Sequence, residues 1–177
     1  MEALEMTPQQ LLQCMPLAGA RASVFAGPLT DSMIEFSIST PKAQAAYLAH
    51  LCHESGSLRY TEEIADGRAY EFRKDLGNVE PGDGEKYKGR ALIQITGRNN
   101  YKLCGAALGL PLEGSPELLS LPANAARASA WFWNSKGLTA LAESDKFGAI
   151  TKLINGGYNG LDDRIGHWLR IRKVLGV

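Results

Sequence analysis

The feature that most constrains the fold is a recurring helix start signal, proline at the first helical position. Thr7-Pro8-Gln9-Gln10, Thr40-Pro41, Ser115-Pro116 and Leu121-Pro122 all place proline where a helix has a spare N–H and where the ring's fixed φ suits the first turn. At Thr7 the glutamine three residues on completes a capping pattern. Glycines supply the stops, Ser55-Gly56 after the second of these starts and Gly156-Gly157 later in the chain. The punctuation and the apolar spacing predict helices over residues 42–54, 123–135, 146–154 and 161–175. The last has Asp162 and Asp163 at its start and Arg170, Arg172 and Lys173 toward its end, as the helix dipole favours. Ala91-Leu92-Ile93-Gln94-Ile95 is the one good strand candidate, short, apolar and β-branched, with Ala69-Tyr70-Glu71-Phe72 as a weaker partner. Residues 78–84 (NVEPGDG) read as a loop. No repeat or long linker divides the chain. The expectation is a mainly α (α+β) single domain over residues 1–177 with a small β element.

A chain of 177 residues can bury one real core, and its 45% hydrophobic and 21% charged residues are those of an ordinary globular protein. Its net charge of zero and pI ≈ 6.8 argue against nucleic acid or an anionic membrane as a general electrostatic partner. No run approaches the roughly 18 apolar residues of a membrane span, so stable membrane insertion is not expected. Cys14, Cys52 and Cys104 are odd in number and widely spaced, which suits buried or free thiols in a reducing compartment better than a disulfide framework or zinc site. The start Met1-Glu2-Ala3-Leu4-Glu5 is acidic where a secretory signal would be basic. Accumulation in the cytoplasm is therefore expected, with release by another protein if the chain acts outside.

The chemistry centres on His53-Glu54-Ser55 and on Glu62-Glu63. Tyr47, Leu51 and Glu54 share one face of the predicted helix. The helix stops just after Glu54, where a side chain can enter a cleft. A second acid follows a short, turned segment. Two carboxylates across a cleft are the minimum apparatus for cutting a glycosidic bond, although such a pair alone can equally be solvated surface charge. Other chemistries fit less well. Ser57 stands where the second histidine of a His-Glu-x-x-His zinc motif would be, so His50 and His53 read as packing or hydrogen-bonding residues and no metal is expected. Gly82-Asp83-Gly84 lacks the lysine and the helix of a phosphate loop. Cys52 and His53 are adjacent on a helix, about 100° apart, and cannot easily pair as nucleophile and base. Trp131 and Trp133 fall on different sides of their helix; both are expected in the core, with a groove-lining role for one as the alternative. Trp168 is expected in the core.

Four blocks of sequence, taken together, resemble glycoside hydrolase family 19, which contains plant-type chitinases and many phage and prophage endolysins. They are residues 46–63 around His53-Glu54-Ser55-Gly56, residues 87–101 (YKGRALIQITGRNNY), Ile154-Asn155-Gly156-Gly157 and Asp163-Arg164-Ile165-Gly166. The blocks stand in the family's order over residues 40–177, and the opening forty residues look like the endolysin branch. The resemblance implies a lysozyme-like fold with a substrate cleft, inversion at the anomeric carbon and no cofactor. Glu54 matches the general acid, a role that needs a carboxyl still protonated near neutral pH. Glu63 matches the general base, in preference to Glu62. Thr96 matches the hydroxyl residue that positions the water. Gln94, Asn100 and Asn155 match positions that hydrogen-bond the sugar, and Arg164 matches an arginine beside the second carboxylate. Arg90 reads as a brace of the cleft.

Two departures from the family pattern are visible. Ser57 and Ala91 stand where glycine is usual, and any backbone angle at Ala91 that requires glycine would be strained. The implied substrate is a β-1,4-linked N-acetylhexosamine polymer. Peptidoglycan is the first expectation and chitin the second, with a monomeric enzyme and a holin-like protein for release. A non-catalytic glycan-binding module is the alternative of another class.

Overall fold

The computed structural model describes residues 5–177; the acidic opening Met1–Leu4 lies outside the described residues. The architecture is helical throughout. The α-helices are α1 (Pro8–Cys14), α2 (Arg21–Glu35), α3 (Pro41–Glu54), α4 (Asp83–Lys86), α5 (Arg98–Leu108), α6 (Pro122–Ser135), α7 (Leu138–Glu143), α8 (Phe147–Asn155) and α9 (Leu161–Leu175). Short 3-10 turns join them, among them Arg68–Tyr70 and Pro116–Ser120.

The start signals work as the sequence suggests. Thr7 accepts from the Gln10 amide while the Gln10 side chain accepts from the Thr7 amide, a closed capping box. Thr40 accepts from the Ala43 amide, and Pro41 opens α3. Every residue from Ala43 to Cys52 is buried, so α3 is the central helix rather than an amphipathic surface one. It packs against α9 and α7, while α2 packs against α6. Tyr47 meets Trp133 edge to face at 5.3 Å. His50, buried beside them, hydrogen-bonds Ala46 O (2.8 Å) and Thr151 Oγ1 (3.0 Å). Burial drives the His50 pKa down to about 3, so it is a neutral core residue. Trp133 is fully buried. Trp131 and Trp168 are partly buried, with Trp168 stacked on Phe147 at 4.5 Å. The three thiols are buried and unpaired.

Two expectations are corrected. The stretch 91–95 is not a strand: residues 91–94 form a turn, and pairing is limited to the single bridges Glu62↔Arg90 and Arg90↔Ile95. Residues 68–70 form a 3-10 turn and do not pair with it. The apolar run is apolar because Leu92, Ile93 and Ile95 are buried, and the Leu92 and Ile93 amides both donate to Ser129 Oγ on α6 (3.1 and 2.9 Å). The small β element therefore reduces to those bridges. Helix α2 is one that no start signal marks. Its N-cap is Ala20 and it carries Pro28 inside, yet Ala22, Phe25, Ala26, Leu29 and Met33 repeat at helical spacing and are buried.

Candidate active site

Glu54 is the last residue of α3, and the chain then reverses abruptly. Gly56, Ser57 and Leu58 all have left-handed backbones (φ 57, 58 and 66°). Buried Ser55 closes this turn: its Oγ accepts from the Leu58 amide (2.8 Å), and its carbonyl accepts from the amides of Arg59 and Tyr60 (2.9 Å each). The reversal returns the chain to Glu62 and Glu63. Both departures from glycine fall at positive φ, Ser57 at 58° and Ala91 at 79°, so the strain expected at Ala91 is met and a second strained position occurs at Ser57.

The three carboxylates have different partners. Glu54 Oε1 accepts from Arg164 Nη2 at 2.6 Å, and its Oε2 has no hydrogen-bond partner among the described residues. Glu62 is tied by cations, with Lys88 Nζ at 2.5 Å and Arg90 Nε at 2.9 Å, and accepts from Ser120 Oγ at 3.0 Å. Burial opposes its charge, but the bonds from Lys88 and Arg90 outweigh that and hold its pKa down at about 2. Glu63 has neutral donors only: the Gly89 amide at 2.7 Å on Oε1 and the Tyr70 hydroxyl at 3.0 Å on Oε2. The Glu63 amide returns a bond to Gly89 O at 2.9 Å, so this residue is held by main chain.

Arg164 is corrected in both its expected neighbour and its expected role. It sits on the first carboxylate, not the second, and at 1% exposure it cannot reach a sugar in the cleft. Its Nε and Nη1 are buried without a partner among the described residues. Beside this pair lies a second one. His53 Nδ1 meets Asp163 Oδ2 at 2.6 Å, so consecutive residues ending α3 clamp consecutive residues in the first turn of α9. His167 Nε2 reaches the same Asp163 oxygen at 3.1 Å. The hydrogen bond from His53 is the main cause that lowers the Asp163 pKa. The His53 ring also packs on Gly160, where a Cβ would stand only 2.4 Å from Cε1. No cluster of histidine, cysteine and acidic residues suited to a metal occurs among the described residues.

The remaining predicted residues fall into two groups. Gln94 lies against Gly89, whose amide holds Glu63, and Asn100 lines the same pocket as Gln94 and bonds Thr96. A Cβ on Gly89 would lie 2.6 Å from Gln94 Oε1, so the glutamine side chain covers the backbone that holds Glu63. The Asn100 amide donates to Thr96 O at 2.8 Å. The Thr96 hydroxyl makes no hydrogen bond with the described residues and is available to water. Asn155 lies in the other group, near His53 and Gly160. Its amide steadies its own loop, donating to Asn159 O (3.0 Å) and accepting from the Gly157 amide (2.9 Å). Arg90 braces the site as expected, bonding Glu62, Lys86 O (2.9 Å) and Tyr101 Oη (3.0 Å). Gln94, Asn100 and Trp131 line one pocket of about 330 Å³. A larger depression of about 470 Å³ between α5 and residues 109–114 contains none of the predicted site residues. Sequence reasoning missed Tyr70, Lys88 and Asp163. Lys88 and Arg90, two apart around Gly89, carried a usable signal; Tyr70 and Asp163 did not, because only the folded turns bring them in.

The family model for chitinase class I, glycoside hydrolase family 19, matches residues 39–142. The chain belongs to glycoside hydrolase family 19. An endochitinase of Arabidopsis thaliana, At2g43610, is 42% identical over 140 residues, 75% of this chain and 48% of that protein. A family 19 domain-containing protein of Haemophilus influenzae is 37% identical over 102 residues, 58% of this chain and 49% of that protein. The chain thus spans about half the length of these relatives. Chitinase C from Streptomyces griseus superposes with a TM-score of 0.83 at 25% identity, covering 100% of this chain and 95% of that one. The lysozyme-like helical fold is therefore the family's fold.

Proposed function

We propose that this chain is an inverting glycoside hydrolase that cuts β-1,4 bonds in N-acetylhexosamine polymers. The observation that carries the reading is the contrast among the three carboxylates. Glu62 has every oxygen engaged by cations or a hydroxyl and serves as a brace. Glu63 is held by neutral donors, one on each oxygen, which leaves a lone pair on each for a water. Glu54 has Oε2 unengaged, the atom that would carry a proton to the leaving oxygen. In this mechanism Glu54 protonates the glycosidic oxygen. Glu63 takes a proton from a water steadied by Thr96, and that water attacks the far side of the sugar. Inversion requires carboxyl groups about 6.5–9.5 Å apart, room for the water between them.

Within that class we place peptidoglycan first, as an endolysin-type activity at the cell wall, with a separate holin-like protein for release from the cytoplasm and a monomeric enzyme. Chitin is the second substrate, supported by the relatives named endochitinases. The non-catalytic alternative has support as well: a protein named inactive endochitinase At2g43600 is 39% identical over 140 residues.

The test is mass spectrometry of products from purified peptidoglycan and from chitin oligomers, with Glu54→Gln as control. The expected result is reducing-end fragments with the parent protein and a loss of several orders of magnitude in rate with Glu54→Gln, which keeps its fold. Intact polymer in every reaction, with glycan binding retained, would replace the enzyme by a binding module.

A further inference from the structure

The pocket lined by Gln94 and Asn100 carries a charge that a neutral sugar does not need. Gln94, Asn100, Trp131, Phe132, Ser135 and Lys136 are among the residues that line it. At about 330 Å³ it is at the small end of ligand pockets, a volume suited to one sugar ring and its substituents. Amides match hydroxyl and acetamido groups, and aromatic faces match the C–H face of a pyranose. The pocket is linked to Glu63 through Gln94, which packs on Gly89, whose amide holds the Glu63 carboxylate.

Lys136 is the odd member. It caps the C-terminus of α6, and the helix dipole suits a cation there. It also lines the pocket, and its ammonium stands 5.8 Å from the centre of the Phe132 ring, another lining residue, with no ion pair to any described residue. The pocket lining contains no carboxylate, so the cation is uncompensated within it. Chitin offers nothing to such a charge. Peptidoglycan does, since every second ring bears a lactyl ether on O3 that ends in a carboxyl group or in an acidic peptide linked through it.

Resting on the hydrolase reading above, we infer that this pocket takes a sugar ring whose 3-O substituent carries a carboxylate, and that Lys136 is the residue that selects it over a neutral ring. A charge-assisted hydrogen bond in a half-enclosed pocket is worth roughly tenfold in affinity. Added salt should weaken the contact, since one partner is exposed.

The experiment measures binding to the Glu54→Gln protein by calorimetry with three tetrasaccharide probes. One is the peptide-free muramic acid-containing repeat, one is the same repeat with its stem peptides, and one is the tetramer of N-acetylglucosamine. Tighter binding of either acidic probe is expected. A preference for the peptide-free one assigns the lactyl carboxylate, and a preference for the substituted one assigns the peptide's acid. Adding Lys136→Gln should lower the acidic-to-neutral affinity ratio about tenfold, and Lys136→Arg should restore most of it. An unchanged ratio in Lys136→Gln, or tighter binding of the neutral tetramer, overturns the selectivity. The hydrolase reading fails separately, when the parent protein with Glu54 intact leaves all three probes uncut.

Discussion

Replacing Gly160 by alanine tests the clamp between α3 and α9 against a matched control. Gly160 and Gly109 have nearly the same backbone, φ +69° and +68°, and both sit at helix ends. An alanine in that conformation costs about 1 kcal/mol at either place. At Gly109 the new methyl meets nothing within 4 Å. At Gly160 it would lie 2.4 Å from His53 Cε1, and ordinary contact begins at 3.4 Å, so the ring must retreat by 3.4 − 2.4 = 1.0 Å. Such a shift breaks the 2.6 Å bond from His53 to Asp163. Its loss adds about 1 kcal/mol for a partly exposed, charge-assisted bond. For a chain of this size that separates the two melting temperatures by about 3 °C. The larger effect is on rate, because Glu54 follows His53 directly, and a displacement of about 1 Å in a positioned group can cost up to 10²-fold. Calorimetric melts at pH 7 and initial rates on a soluble N-acetylglucosamine oligomer read both effects. Gly109→Ala should keep its rate while Gly160→Ala loses at least tenfold. Equal melts and equal rates would mean that the His53 ring swings aside freely and that the clamp positions nothing.

Other expectations follow from the same geometry. Glu62 ionises near 2 instead of 4.5, so its contribution to stability is whole above pH 4.5 and disappears as the pH falls to about 2. Unscreened, that interval of about 2.5 pH units is worth about 3.4 kcal/mol; with the side chain 37% exposed, solvent screening leaves about 1 kcal/mol. Urea titrations at pH 5 and pH 2 should show the parent protein losing about 1 kcal/mol more than Glu62→Gln over that range. At Ala91, φ 79° and buried, Ala91→Gly should stay within about 1 kcal/mol of the parent. Ala91→Val, β-branched in a left-handed position, should cost more than about 2 kcal/mol in the same assay. A tolerated valine would disprove the backbone angle.

What the sequence disclosed depended on whether the deciding interaction was local. Thr7, Thr40, Pro41 and Pro122 act on their own first turns, so the starts of α1, α3 and α6 could be read directly. The ends of α3, α6 and α9 were likewise legible from Glu54, Ser135 and Leu175. The stretch 91–95 was misread because β-branched, apolar residues describe burial as well as they describe strand. Here Ser129, thirty-odd residues away, takes the amides that a ladder would have used. Helix α2 was hidden because its evidence is a buried stripe, while its local signals, Ala20 at the cap and Pro28 inside, are unfavourable. The acids could be named from sequence as candidates. Their partners could not, since Arg164 is 110 residues from Glu54 and nothing in the chain tells which carboxylate it reaches.

The partner sets explain how adjacent glutamates can differ in use. Glu62 and Glu63 come from one short segment, and both face the stretch 88–90. That stretch presents side chains at Lys88 and Arg90 and bare backbone at Gly89. Glu62 meets the two cations and becomes a fixed anion that anchors the loop carrying Gln94 and Thr96. Glu63 meets the Gly89 amide, where a Cβ would collide with Gln94 Oε1 at 2.6 Å. The glycine therefore serves two needs at once, a main-chain donor for Glu63 and a close seat for Gln94. Any residue larger than glycine at position 89 would push Gln94 off the backbone that holds Glu63 and reshape the pocket that Gln94 lines. The division of labour between the two neighbours is thus set by the alternation of charge, glycine and charge across residues 88–90.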